Sequence, residues 1–282
     1  WRCALPPGFR SPADVFVVDG LVWLGHAFNE GRDLRSGIVV AAEALLRWDV
    51  PGIGVVGPGE FIPMAQRCGL LNQLTSWTLE VVAAELAHSR TVRPDLVDLP
   101  ITVNLGTLQL AHEGLVDEIV EVVRRHGLVP TDVIFELIEA GTLDTVEGAL
   151  ELIHDIAAAG FGVAIDDFGM ANSSVHQLAA LPVNVVKLHP ELVRHLDDQR
   201  MSTVIGGLSD VGISLGAEVV AKGLEEPDAA ADLVELGVRY GQGFGLGEPM
   251  TLVDLPGSIE LPHGGPVDID TRSSSATAPG HD

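Results

Sequence analysis

The feature that most constrains this chain is an alternation of short apolar runs with longer segments of helical period. Runs at 37–42, 99–105, 133–137, 162–165, 183–188 and 217–221 are rich in Val, Ile, Leu and Ala. Such runs suit strands buried on both faces of a parallel sheet. Between them, 71–88, 115–126, 145–159, 201–211 and 228–236 carry apolar residues at helical spacing. Thr142 and Asp144 are suited to cap the third of these helices, and Gly160 to end it. Repeated strand–helix units predict an α/β fold with a parallel sheet, closed or open. The length of 282 residues favours closure, because a (β/α)8 barrel takes about 250 residues, but spacing alone does not decide.

Both architectures place chemistry where strands end. The polar residues that interrupt or follow the apolar runs are, in order, Glu43, Asn104, Glu136, Asp166 with Asp167, Lys187 and Lys222. Taken singly, an acid at a strand end is a helix cap or a solvated loop residue. Taken together, carboxylates and an amide oxygen form a hard donor set that suits Mg2+ or Mn2+. No zinc-type His/Cys spacing occurs.

Composition excludes several function classes. Sixteen basic residues against 40 acidic ones give a formal charge of −24. That balance argues against a phosphate-neutralising face for DNA or RNA and against an anionic membrane surface. A small anionic ligand stays open, because a bound metal reverses the local field. Two cysteines, Cys3 and Cys68, build neither a disulfide framework nor a four-thiolate site, so a reducing, cytoplasmic compartment is expected. No run of 18 uncharged apolar residues occurs, so no membrane-spanning helix is expected. Residues 1–20 read as a leader or linker, 21–255 as the globular domain, and 256–282, rich in Gly, Pro, Ser and Thr, as a disordered tail.

Several segments, in register, resemble the EAL domain, the bacterial cyclic di-GMP phosphodiesterase family. They are Glu43-Ala44-Leu45-Leu46-Arg47-Trp48, Gly59-Glu60-Phe61-Ile62-Pro63-Met64-Ala65, Val103-Asn104-Leu105, Glu136-Leu137-Ile138-Glu139, Asp166-Asp167-Phe168-Gly169, Leu181-Pro182-Val183 through Lys187, and Gln242-Gly243-Phe244 with Pro249. The resemblance implies a (β/α)8 TIM-type barrel with an atypical first strand, binding cyclic di-GMP across its C-terminal face and hydrolysing it to pGpG with two Mg2+ or Mn2+ ions. Glu43, Asn104, Glu136, Asp166 and Asp167 would ligate metal. Lys187 would hold the attacking water or the phosphate. Leu46, Arg47 and Gln242 would contact the nucleotide, and Glu139 would brace the loop after Asp167. The family also implies a homodimer and an upstream sensor or GGDEF domain not present in this chain.

The sequence departs from the family at informative places. Where the family reads Ala-Glu-Gly-Val-Glu, this chain reads Ala221-Lys222-Gly223-Leu224-Glu225. The residue usually assigned as general base is thus a lysine, and an ammonium accepts no proton. Lys222 should also repel the second metal ion. The first-strand Gln-Pro-Ile/Val aligns with Asn29-Glu30-Gly31, the loop Gly-Thr-Gly-Tyr-Ser-Ser with 169–174, and Lys-Ile-Asp with Lys187-Leu188-His189. Three functions follow: a cyclic di-GMP receptor with impaired hydrolysis, a protein-interaction module that has lost nucleotide binding, and an active phosphodiesterase using Glu225 or His189 as base. Trp48 reads as packing, with stacking on a guanine as the alternative, and His189 as a hydrogen-bonded spectator.

Overall fold

The computed structural model describes residues 23–50, 54–112, 114–138, 143, 146–169 and 175–256. The expected leader, the expected tail beyond 256, the Thr142 and Asp144 caps, Glu139 and residues 170–174 lie outside the described residues.

The described residues open with a hairpin. Strand β1 (Trp23–Asp33) pairs antiparallel with β2 (Val39–Val50). The turn is built by Asp33, whose Oδ1 accepts from the amides of Arg35 and Ser36 at 2.9 and 3.0 Å, and by Gly37 at φ 68°. A link of five residues leaves no room for a crossover, so β1 must run antiparallel. This is the atypical first strand. It also corrects the expected strand 37–42: Gly37 is in the turn, and β2 runs on to Val50. A short strand, β3 (Gly54–Val56), pairs with the distal end of β2. With β1 on its other side, β2 keeps its ladder well past the barrel rim.

Helices α1 (Pro58–Arg67) and α2 (Leu71–Val92) follow. Then come the parallel units: β4 (Ile101–Gly106), α3 (Leu115–Arg125), β5 (Val133–Ile138), α4 (Ala149–Ala158), β6 (Gly162–Phe168), α5 (Val175–Ala180), β7 (Val185–Leu188), α6 (Pro190–Arg194), α7 (Gln199–Ser214), β8 (Glu218–Lys222), α8 (Ala229–Glu235) and β9 (Tyr240–Gln242). Among the described residues the sheet order is β1-β9-β8-β7-β6-β5-β4-β2, with β1–β2 pairing closing the ring and β3 outside it. The closing seam between β1 and β9 is antiparallel and rests on two residue pairs, Arg32↔Gly241 and Asp33↔Tyr240. The Arg239 Nε donates to Asp33 Oδ2 at 2.8 Å across it.

The main core lies between the barrel and its helices, with Leu86, Ile101, Ile119, Phe135, Ile153, Val186 and Leu233 almost fully buried. A second cluster, Trp48, Phe61, Ala65 and Leu74, lies under the protruding β2. The Trp48 and Phe61 rings meet edge-on at 5.8 Å. Trp48 is therefore packing, and only 2% exposed.

Candidate functional site

The polar strand residues converge. Glu43 faces Thr102 across the β2–β4 ladder, Asn104 faces Glu136, and Lys222 faces Gln242. Glu43 is not at a strand end, as its sequence position suggested; it lies where β2 leaves its parallel pairing with β4, which stops at Ala44. Its Oε1 accepts from Asn104 Nδ2 at 3.0 Å, and its Oε2 accepts from Lys187 Nζ and Gln242 Nε2, each at 3.0 Å. The Lys187 ammonium also donates to Glu136 Oε2. Glu136 and Lys187 are buried. Glu136 Oε1 is buried too and has no hydrogen-bond partner among the described residues. Beneath this cluster lies a partly open cavity of about 200 Å³, lined by Gly31, Ala41, Thr102, Ile134 and Val220. Glu43, Lys187 and Gln242 border it, so the polar cluster separates that space from the C-terminal mouth.

A backbone irregularity builds the other half of the cluster. In a regular strand, consecutive side chains point to opposite faces. The β6–β7 register shifts between Ile165 and Phe168, and Asp167 sits at φ 52°, where few residues other than Gly, Asn and Asp settle. The Asp167 amide donates to Asp166 Oδ1 at 2.8 Å. This bulge re-aims Asp167, so that Lys222 Nζ donates to both Asp166 and Asp167, the latter at 3.2 Å. Gly243 keeps β8 and β9 close at this end: a Cβ there would stand 2.3 Å from the Leu224 amide nitrogen.

The electrostatics follow from burial and these contacts. Burial pushes the Glu43 carboxyl up, but the Lys187 ammonium, the Asn104 amide and the Lys222 charge outweigh it and hold it at about 2. Burial dominates at Glu136; the charges of Glu43 and Asp166 add to it against the two lysines, and the carboxyl is pushed up to about 8. Burial disfavours both ammonium groups, yet Glu43 and Glu136 around Lys187, and Asp166 and Glu136 around Lys222, hold both above the usual lysine range. Both lysines are therefore cations at neutral pH. Each pair of carboxylates is gathered around an ammonium. Among the described residues, no three His, Cys, Asp or Glu side chains are arranged as a ligand set for a metal.

Other expected residues fall around this cluster. Arg47 follows Glu43 by four positions on the same face of β2, and its Nη1 donates to the Leu46 carbonyl at 3.0 Å. Leu46 packs on the Trp48 cluster. Glu225 does not join: its side chain is 66% exposed, and its Oε1 lies 3.7 Å from Arg194 Nε. His189 caps α6, its Nδ1 accepting from the Glu191 amide at 3.0 Å, which is the spectator role expected. Asn29, which the sequence aligned with the family's first-strand motif without giving it a role, lies opposite Glu43 on the β1–β2 ladder, and its carbonyl accepts from Gln242 Nε2 at 3.3 Å. Phe244, part of the Gln242-Gly243-Phe244 motif but given no role from the sequence, is 73% exposed two residues after Gln242.

Comparison with known proteins gives consistent results. The model of the EAL domain matches residues 31–249. The chain is 33% identical over 225 residues to MucR of Pseudomonas aeruginosa, described as a bifunctional diguanylate cyclase/cyclic di-GMP phosphodiesterase. The match covers 79% of this chain and 33% of that protein, so the chain spans about a third of this relative's length. An uncharacterized protein of Mycobacterium tuberculosis is 34% identical over 218 residues, covering 75% of this chain and 70% of its own length. Among solved structures, the PaMucR phosphodiesterase in complex with c-di-GMP superposes with a TM-score of 0.73 at 32% identity, covering 82% of this chain and 93% of that one. The FimX EAL domain from Pseudomonas aeruginosa bound to c-di-GMP shares the fold, with a TM-score of 0.74 at 23% identity over 83% of this chain and 94% of that one.

Proposed function

The chain belongs to the EAL domain family, and from that premise we propose that it is a cyclic di-GMP receptor of bacterial second-messenger signalling whose hydrolytic step is impaired. One observation carries this reading: the position of the family's usual general base is Lys222, a cation held between Asp166 and Asp167. An ammonium has no lone pair with which to take a proton from water. Neither alternative base is placed to replace it, since Glu225 faces Arg194 and the His189 ring is committed to its helix cap. The proposed nucleotide contacts are Leu46, Arg47 and Gln242, with Lys187 toward the phosphate.

The donor chemistry supports one divalent cation better than two. Glu43, Asn104, Glu136 and Asp166 are the donors that would hold a first Mg2+ or Mn2+ ion once drawn together from their places around the ammonium groups, and Glu136 Oε1, without a hydrogen-bond partner among the described residues, offers it a buried lone pair. Asp167 with Asp166 would serve a second, but the Lys222 ammonium engages both carboxylates and weakens that position. When bound, such ions supply Lewis acidity and lower the pKa of a ligated water. Substrate binding and orientation fall to the chain's own side chains.

A cytoplasmic location, a homodimer and a fused sensor or GGDEF domain complete the proposal. The fused domain fits the bifunctional relative, of which this chain spans about a third. The altered first strand, Asn29-Glu30-Gly31, favours the protein-interaction module as the second reading. A calorimetric titration with cyclic di-GMP in millimolar Mg2+ separates the two. Saturable binding of one nucleotide per chain is expected for the receptor, and no heat of binding for the interaction module.

A further inference from the structure

The chain has 16 basic residues, of which only Lys187 and Lys222 are lysines. Both lie in the polar cluster, and each touches two carboxylates. Arginine is a planar, weakly hydrated fork, whereas lysine delivers a compact point charge. A chain that otherwise uses arginine thus places its two point charges where a hard cation would sit among oxygen donors. Lys187 is enclosed, its side chain 6% exposed, while that of Lys222 is 19% exposed. An ammonium has three donors, and the bonds to Asp166 and Asp167 use two of them.

We infer that Lys222 is a tethered substitute for a divalent cation, so that the chain holds the phosphodiester of a cyclic dinucleotide without Mg2+ or Mn2+. The inference rests on the receptor reading above and specifies what that receptor needs. Were residue 222 a glutamate, five carboxylates would surround a single ammonium, and a phosphodiester anion would be repelled until divalent ions were loaded. With Lys222, the carboxylates of Glu43, Glu136, Asp166 and Asp167 meet two fixed cations, and the one nearer solvent keeps a donor for a phosphate oxygen. The bulge at Asp166-Asp167 is what lets one ammonium serve both aspartates and stay at the mouth. Binding thereby loses its dependence on metal supply, and catalysis loses its base through the same side chain.

The test is an equilibrium titration of the full chain with cyclic di-GMP, in EDTA and in millimolar Mg2+. It is run on the natural chain, on Lys222→Met and on Lys222→Glu, with circular dichroism and thermal melting to verify folding. For the natural chain the Kd should agree within about threefold between the two buffers. For Lys222→Met, binding in EDTA should weaken at least about tenfold, the scale of one charge-assisted hydrogen bond, and recover in part with Mg2+. Lys222→Glu should bind only with metal. Binding by the natural chain that requires metal overturns the inference and leaves the receptor reading standing. Undiminished binding by Lys222→Met in EDTA overturns it as well. Absence of binding by the natural chain in both buffers refutes the receptor reading, and the inference with it.

Discussion

Lys222→Glu changes the site's charge most for the least change in shape. The Lys222 ammonium lies 3.2 Å from Asp167 and closer to Asp166. At about 4 Å and an effective dielectric near 20, one such contact amounts to roughly 4 kcal/mol before desolvation is counted. Breaking a largely buried pair costs about 3–5 kcal/mol net, and the new carboxylate adds repulsion from Asp166 and Asp167. In a domain of this size that corresponds to a melting temperature lower by roughly 6–20 °C in chelator. With Mg2+ or Mn2+ much of this loss should be regained, since ligands bound only to the native state stabilise it. Hydrolysis of cyclic di-GMP, followed by chromatography, should rise at least about tenfold, within the span of general-base effects. A variant as stable in chelator as the natural chain would refute the electrostatic argument. A variant that binds metal yet stays inert would move the defect to residues 170–174 or His189.

The other predictions concern single contacts. Lys187→Met leaves Glu43 and Glu136 without their shared cation and should cost about 3–5 kcal/mol in urea denaturation at pH 7; a loss below about 1 kcal/mol would contradict the buried pairing. Asp33→Ala removes the hairpin's amide bonds and the Arg239 contact across the β1–β9 seam, and should cost about 1–3 kcal/mol at neutral pH. Burial raises the Asp33 pKa, but its bonds to Arg239, Ser36 and Arg35 outweigh this and leave it lowered. That stability is present above the unfolded-state value and lost as pH falls through the folded one, so the deficit should shrink in acid below about pH 4; a deficit unchanged down to pH 2 would refute the assignment. Phe244→Ala should weaken cyclic di-GMP binding roughly tenfold if the exposed ring stacks on a guanine, with melting unchanged.

The extent to which the sequence disclosed the structure depended on how local each cause is. The parallel strands β4 to β8 were legible because burial on both faces leaves nearly continuous apolar runs, and helix α2 because its apolar period persists over many residues. Strand β1 was placed only through the family resemblance at Asn29-Glu30-Gly31, because its identity comes from pairing: nothing periodic distinguishes Trp23–Asp33 until the Asp33 turn folds it against β2. Strand β9 is three residues long, too short to show a period. The end of β2 was misplaced because Glu43 and Arg47 break the apolar run, although the ladder continues between β1 and β3. In the site, residue types were readable and pairings were not. That Lys222 grips both Asp166 and Asp167 depends on a bulge and a positive φ, features of the backbone that side-chain chemistry alone does not announce.

The central claim is that this site keeps the nucleotide and lacks the base, and a single-turnover experiment tests it most directly. The chain, in excess over cyclic di-GMP and supplied with Mg2+ or Mn2+, is quenched at intervals and the nucleotide separated from pGpG. Ordinary turnover near 10 s⁻¹, reduced about 10²–10⁴-fold by loss of a general base, gives roughly 0.001–0.1 s⁻¹. The account predicts that the retained nucleotide stays cyclic on the scale of seconds, with pGpG forming at or below that rate. Conversion at about 1 s⁻¹ or faster would contradict it.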